Sequence, residues 1–292
     1  MGEVILAKDL LFGISMPTMT HPIRRAEIAM AEEWRKNHPN VKFVVTDGRL
    51  DASKQISDIE DLIARKVDVI LVAAHQSPTL IPVLKKAKKA GIPVVAFDRR
   101  LTDTDLFVTY VGSDDREFGR LCAQFIAKKL EGKGNVVILE GVQGGAVTIA
   151  RQEGFMEEIK KYPGIKIVSD QVANFQRVQA VSVMENVLQA HPDIDAIFSH
   201  NDEMALGALQ VLKAAGKKGV IIAGVDGQKE AIKAIIDGEM HFTAKKVLEF
   251  PTAAEVALKI INGEKVKPEY ILPTVAIDAT NAKEQYDPDS IF

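Results

Sequence analysis

Cysteine is almost missing from this sequence, and so is any surplus of charge. The one cysteine, Cys122, cannot form an intramolecular disulfide, and its neighbours Leu121, Ala123 and Phe125 mark it as a buried small residue rather than a reactive thiol. With 37 basic residues against 40 acidic ones and a net charge of −3, there is no basic field to attract a nucleic acid. The six histidines show no metal spacing such as H-E-x-x-H, and no G-x-S-x-G elbow is present, so neither a metal, a cofactor nor a catalytic triad is expected. No apolar run approaches the ~20 residues that span a bilayer, and no charged-then-apolar leader precedes the first strand. The glycine cluster in "LEGVQGGAV" lacks both the G-x-G-x-x-G spacing and the Lys-Ser/Thr of a nucleotide loop, and reads as a strand-to-helix turn.

What is present is a long chain of 292 residues, 47% hydrophobic, which exceeds the size at which one core divides into two. Short β-rich apolar runs alternate with stretches of helical period: "LLFGISM", a helix over 22–36, "VKFVVTD", a helix over 53–64, "VDVILVAA", a helix over 79–90, then "IPVVAF". The rhythm resumes after Asp115, with helices over 118–130, about 147–161, 177–190 and 204–215 interleaved with "NVVILEG", "IKIVSDQ", "IDAIFSH" and "GVIIAGVD". This is the pattern of βαβ units and predicts an α/β fold of two doubly wound parallel-sheet lobes. The halves also resemble each other. The segment from Asp68 to Asp98 and that from Asp195 to Asp226 each run Asp, strand, turn, helix, Ala-Gly, strand, Asp, so Asp98 and Asp226 fall at equivalent strand ends. Beyond Asp237, "MHFTAKKV" and "ILPTVAID" read as strands and 252–262 as a helix, which complete the two sheets and make the chain cross between lobes more than once.

Ligands of open parallel sheets bind outside the carboxyl ends of the strands. There the chain offers Thr20, His21 and Arg24, then Asp98 and Arg99, Gln143, the trio His200, Asn201 and Asp202, and finally Asp226 and Gln228. Nearly all are hydrogen-bonding groups of fixed planar geometry, a set for binding rather than reaction. A carboxylate accepts from hydroxyls while a guanidinium donates a fork of bonds, a pairing suited to vicinal diols or a carboxylate. Asn201 or Asp202 can also cap the helix that follows. Arg151 lies within a helix and by pattern alone is solvated.

At these residues the sequence resembles the periplasmic sugar-binding proteins of ABC transporters, the ribose-binding type most closely. "IPVVAFDRR", "ARQEGF", "ANFQR", "HPDIDAIFSHNDEMALGAL" and "DGEM" match in order and spacing. The resemblance implies two lobes joined by a three-segment hinge that closes over a sugar, one lobe formed by 1–113 with 250–278 and the other by 114–249 with 279–292. It implies that Asp98, Arg99, Arg151, Asn201 and Asp226 hydrogen-bond the ligand and that Phe175 packs on its apolar face. It also implies a monomer without enzyme activity, with a membrane permease as partner and a chemoreceptor as a second one the family allows. The location expected is periplasmic, or extracellular and lipid-anchored, with the signal peptide absent from this sequence.

The departures narrow the ligand. Where the ribose-binding pattern has an Asn, a Pro and two aromatics, this chain has His21-Pro22-Ile23-Arg24; Val225 replaces an aromatic, and Lys246, or Lys245 in another register, replaces a Gln. With Arg24, Arg99, Arg151 and Lys246 all in the site, a sugar acid or phosphate fits; with some of them bridged to carboxylates, a neutral monosaccharide or polyol fits, and the neutral ligand is the expectation. From another class, the effector-binding core of a lactose-repressor-type regulator shares the fold but requires a DNA-binding headpiece before the first strand.

Overall fold

The computed structural model describes residues 9–292. In chain order, β1 (Leu10–Met16), α1 (Pro22–Lys36), β2 (Val41–Asp47), α2 (Ala52–Ala64), β3 (Val69–Val72), α3 (Ser77–Lys89), β4 (Val94–Phe97), a 3₁₀ turn (Thr104–Leu106) and β5 (Thr109–Gly112) come first. There follow α4 (Asp115–Lys129), β6 (Lys133–Glu140), α5 (Ala146–Ile159), β7 (Gly164–Val172), α6 (Arg177–Ala190), β8 (Ala196–Ser199), α7 (Asp202–Ala214), β9 (Ile221–Asp226), α8 (Lys229–Ile236) and β10 (Phe242–Lys246). The tail adds α9 (Phe250–Ile261), β11 (Glu269–Ile271), β12 (Thr274–Asp278) and α10 (Ala282–Gln285).

These elements form two compact units. One holds the described residues up to Gly112 with Leu248–Leu272 and Phe292, and the other holds Ser113–Val247 with Pro273–Ile291. The first sheet runs β11-β5-β4-β3-β1-β2 and the second β12-β10-β9-β8-β6-β7. Leaving out the outermost tail strand, each has the doubly wound order 2-1-3-4-5, so both sheets are covered by helices on both faces. The strands therefore bury both rows of side chains. Val69 and Leu71 of β3 join Phe12, Trp34 and Phe250 on one side, whereas Ile70 and Val72 join Ile59, Leu62 and Leu80 on the other. In the second unit Ile197 packs with Val137, Leu139 and Met184, while its neighbour Phe198 stacks on Phe155 at 4.2 Å in the opposite layer. Cys122 is fully buried in that layer, its thiol donating to the Gly224 carbonyl at 3.3 Å.

The repeat extends to hydrogen bonds. Asp68 accepts the Leu11 amide at 2.8 Å, and Asp195 accepts the Asn135 amide at 2.7 Å, each tying its unit's first strand to the loop before the third. Phe12 pairs with Val69 and Val136 with Ala196, which makes Leu11 and Asn135 equivalent positions as well.

The tail departs from the sequence reading in two ways. "ILPTVAID" is two strands rather than one. Leu272 makes a last backbone bond to Gly112 at 2.7 Å, Pro273 has no amide to continue the ladder, and β12 then pairs antiparallel with β10 in the second sheet. Residues 274–278 thus belong to the second unit, whereas the expected boundary placed them in the first. A helix also stands at Lys229–Ile236, which the periodic pattern above passes over.

The first unit carries the chain's one tryptophan. Trp34 donates to Glu255 at 2.7 Å, stacks on His38 with ring centres 3.7 Å apart, and sits beside Phe12 and Phe43. Helix α9 has no side-chain cap of its own. Glu27, fully buried on α1, supplies one, accepting the amides of Glu249 and Phe250 at 2.9 and 2.8 Å.

Candidate functional site

Three of the residues expected at the site have a backbone that side chains disfavour. Asp98 has φ of +60°, Phe175 +61° and Asp226 +117°, with Asn174 at +53° beside Phe175. A non-glycine residue with positive φ costs roughly 1–3 kcal/mol and persists where its surroundings impose it, most often at binding and catalytic sites. In both units the repeated aspartate is such a residue.

In the first unit, Asp98 follows β4 and is nearly fully buried. Its carboxylate accepts from Arg24, on the first turn of α1, and forms an ion pair with Arg99 Nε at 3.6 Å. Arg99 also donates to the carbonyls of Ala74 and His75, at 3.3 Å each, which holds its guanidinium across the end of β3. Arg100 turns away, bound to Glu269 at 2.8 Å with its guanidinium over the Tyr110 ring. Burial opposes the charge on Arg24, but Asp98, Glu27 and Glu249 more than offset it and hold its pKa above the ordinary value. His21 ends the loop before α1 in extended conformation, half-buried, with Pro22 opening the helix after it. Burial and the Arg99 charge keep the His75 imidazole below its usual pKa.

In the second unit, Arg151 is the centre. Sequence pattern makes it a solvated helix residue; the structure buries it to 3% exposure. It donates to Asp115 at 2.9 Å and to the His200 carbonyl, and reaches Asp226 at 3.5 Å, with its guanidinium 5.3 Å from the Phe118 ring centre and 6.0 Å from that of Phe175. Two glycines make this possible. A Cβ on Gly119 would lie 2.0 Å from the Arg151 carbonyl, and one on Gly154 2.0 Å from the Arg116 carbonyl, so α4 and α5 cross in backbone contact. Phe175 lies over Gly141, where a Cβ would meet its ring at 2.0 Å. Asn201 is the cap of α7: its Oδ1 accepts the Met204 amide at 3.0 Å and its Nδ2 donates to the Phe175 carbonyl at 3.3 Å. Burial, reinforced by the Arg151 charge, pushes His200 well below its usual pKa, and the neutral ring bridges the Gly141 amide and Gln152.

Other candidates fall outside these groups. Gln143 and Thr20 are exposed, and the Gln228 side chain is tied to Glu203 at 2.8 Å. Asp202 is fully buried and serves the backbone of the loop after β9. Val225 faces the core among Phe118, Phe155 and Phe198, so its size bears on packing. Lys246 is buried at the end of β10 and Lys245 is half-buried, on opposite faces of the strand. Among the described residues, no three His, Cys, Asp or Glu side chains gather as they would to hold a metal, and no helix is long and apolar enough to cross a membrane.

Two strand-end clusters of carboxylate and guanidinium, one of them with the Asn201 amide and an aromatic ring beside it, can hold hydroxyl groups in fixed directions. Known proteins with the same sequence pattern agree with that chemistry. A family model described as a periplasmic binding protein domain matches residues 12–265. The ribose import binding protein of Bacillus subtilis is 36% identical over 262 residues, 89% of this chain and 84% of that protein. The xylitol-binding protein of Mycolicibacterium smegmatis is 37% identical over 271 residues, 91% of this chain and 77% of the relative. Among solved structures, an ABC transporter periplasmic solute-binding protein from Actinobacillus succinogenes with bound D-allose superposes with a TM-score of 0.88 at 34% identity, covering 94% of this chain and 99% of the other. The chain belongs to the periplasmic binding protein family, among the sugar- and polyol-binding proteins of ABC transporters.

Proposed function

We propose that this chain captures a neutral monosaccharide or polyol and delivers it, chemically unchanged, to a membrane permease from a periplasmic or lipid-anchored position. Asp98, Arg99, Arg151, Asn201 and Asp226 hydrogen-bond the ligand, Phe175 packs on its apolar face, and His21, Arg24 and Lys246 distinguish this ligand from others. The observation that carries the neutral reading is that each of the three arginines already has a carboxylate partner inside its own unit. Arg24 and Arg99 lie on Asp98, and Arg151 lies on Asp115 and Asp226. An anion arriving at either cluster would have to compete with a buried carboxylate for the same guanidinium, at a desolvation cost of its own. Ribose, xylitol and D-allose, named for the relatives, are all uncharged and polyhydroxylated.

A melting-temperature panel tests this: D-ribose, xylitol and D-allose on one arm, and aldonic acids, uronic acids and sugar phosphates on the other. A ligand present at about a hundred times its Kd adds about 2.7 kcal/mol to stability, well within the range of the method. Stabilisation by neutral compounds is expected, and stabilisation confined to the acids or phosphates would refute the neutral reading. Recovery of every stabilising sugar unaltered after long incubation checks the absence of turnover.

A further inference from the structure

The strained turns at Asp98 and Asp226 are each held by a hydroxyl group from the next strand of the sheet. In the first unit, Tyr110 of β5 donates to the Asp98 carbonyl at 2.9 Å. In the second, Thr243 of β10 accepts the Gly227 amide at 3.1 Å and donates to the Asp202 carboxylate at 2.8 Å, while Asp202 accepts the Gln228 amide at 2.8 Å. Both hydroxyls occupy the same register position. Tyr110 pairs with Ala96, two residues before Asp98, and Thr243 pairs with Gly224, two residues before Asp226. Each arrangement also depends on a missing side chain. A Cβ on Gly112 would lie 1.9 Å from the Tyr110 hydroxyl, and one on Gly224 would lie 2.3 Å from Asp202 Oδ1. Tyr110, Thr243 and Asp202 are all buried.

We propose that Tyr110 and Thr243, the latter with Asp202, are matched positioning residues: each hydroxyl fixes the positive-φ turn from which its aspartate meets the ligand. The proposal rests on the reading of Asp98 and Asp226 as ligand residues. The side chains differ because the bonds differ. Tyr110 must reach across Gly112 to a carbonyl, which takes a long donor, whereas Thr243 lies under an amide and needs a short group that both accepts and donates. A turn left loose by loss of the hydroxyl would let the carboxylate wander by a fraction of an ångström, enough to weaken directional bonds to a sugar.

Hydrogen exchange of the backbone amides, on the full chain without ligand, forms one arm of the test. In the wild type, the Gly227 and Gln228 amides exchange slowly. Thr243→Val frees Gly227, Thr243→Ser does not, and Tyr110→Phe speeds exchange at Asp98 and Arg99. Titration calorimetry with D-ribose, xylitol and D-allose forms the other arm: Tyr110→Phe and Thr243→Val each weaken whichever probes bind by about tenfold, with Thr243→Ser restoring the wild-type affinity. Tyr110→Phe removes a single oxygen and keeps the ring, so it carries the test if Thr243→Val does not fold. The proposal is overturned if the wild-type Gly227 amide exchanges at the rate of an unprotected peptide, or if Tyr110→Phe leaves both the Asp98 and Arg99 amides and probe affinity unchanged. Failure of all three probes to bind the wild type would count against the sugar reading, while the exchange arm still decides the positioning role.

Discussion

The two units share a scaffold and differ in what they build on it. Sheet order, the aspartate that ties the third strand to the first, the positive-φ aspartate and the hydroxyl beside it recur at matched positions. The company around the repeated aspartate does not recur. Asp98 is shared by two guanidiniums, Arg24 and Arg99, whereas Asp226 and Asp115 share one, Arg151. The backbone device is common, and the charge balance is set separately in each unit.

The largest effects should come from breaking the ion pairs. Arg151→Met leaves the buried Asp226, and Asp115 with it, without that guanidinium; it should cost about 3–5 kcal/mol of stability, the range for stripping one partner from a buried pair. Arg24→Met should cost less, because Asp98 keeps Arg99 at 3.6 Å. Denaturant unfolding of both variants gives the ordering, and the reverse ordering would mean that Asp98 relies on Arg24 alone. Affinity should divide the other way. Asp226→Ala is expected to weaken sugar binding about a hundredfold or more, and Asp98→Ala less, since two guanidiniums already compete with a ligand for the Asp98 carboxylate. Calorimetric Kd values for the two variants settle which unit dominates.

Smaller effects separate the units further. Glu27→Gln keeps the shape but weakens the cap on α9, and a loss of about 1 kcal/mol is expected, measurable as a lower denaturation midpoint. The second unit also has a carboxyl pair at the end of β6, Glu140 with Asp170 of β7. Burial, and then Asp170, raise Glu140 to about 7, while the equivalent end of β1 is Met16. The sign follows from proton counting. Between the ordinary value of 4.5 and about 7, folded Glu140 keeps a proton that the unfolded chain has released, so stability falls as pH rises through that window. Glu140→Gln should flatten the fall, and the gap in melting temperature between variant and wild type should widen from pH 5 to pH 8. A constant gap would mean that the pair does not hold that proton.

Much of the scaffold is legible in the sequence, because apolar periodicity dictates which residues a two-faced sheet can bury. β1, β2, α1 and α6 fall where the periodicity places them. The misreadings have local physical causes. A proline inside an apolar run marked a change of sheet rather than a kink, and α8 is short and follows a strand end with little polar spacing. The site was harder. Aspartates at strand ends are visible, but their left-handed backbone is not, since no glycine advertises it. Arg151 is invisible to pattern because its burial depends on Gly119 and Gly154 letting two helices touch, a contact between residues distant in sequence. Resemblance to a known family points to Arg151; periodicity does not.

Trp34 gives the first unit an optical signature of its own. It is the only tryptophan in the chain, it packs within the first unit's aromatic cluster, and the second unit has none. Excitation at the red edge of indole absorption therefore follows the unfolding of one unit, while far-ultraviolet circular dichroism follows both. Coincident transitions would show that the two cores melt together, and a gap between the two curves would show that each holds its own stability.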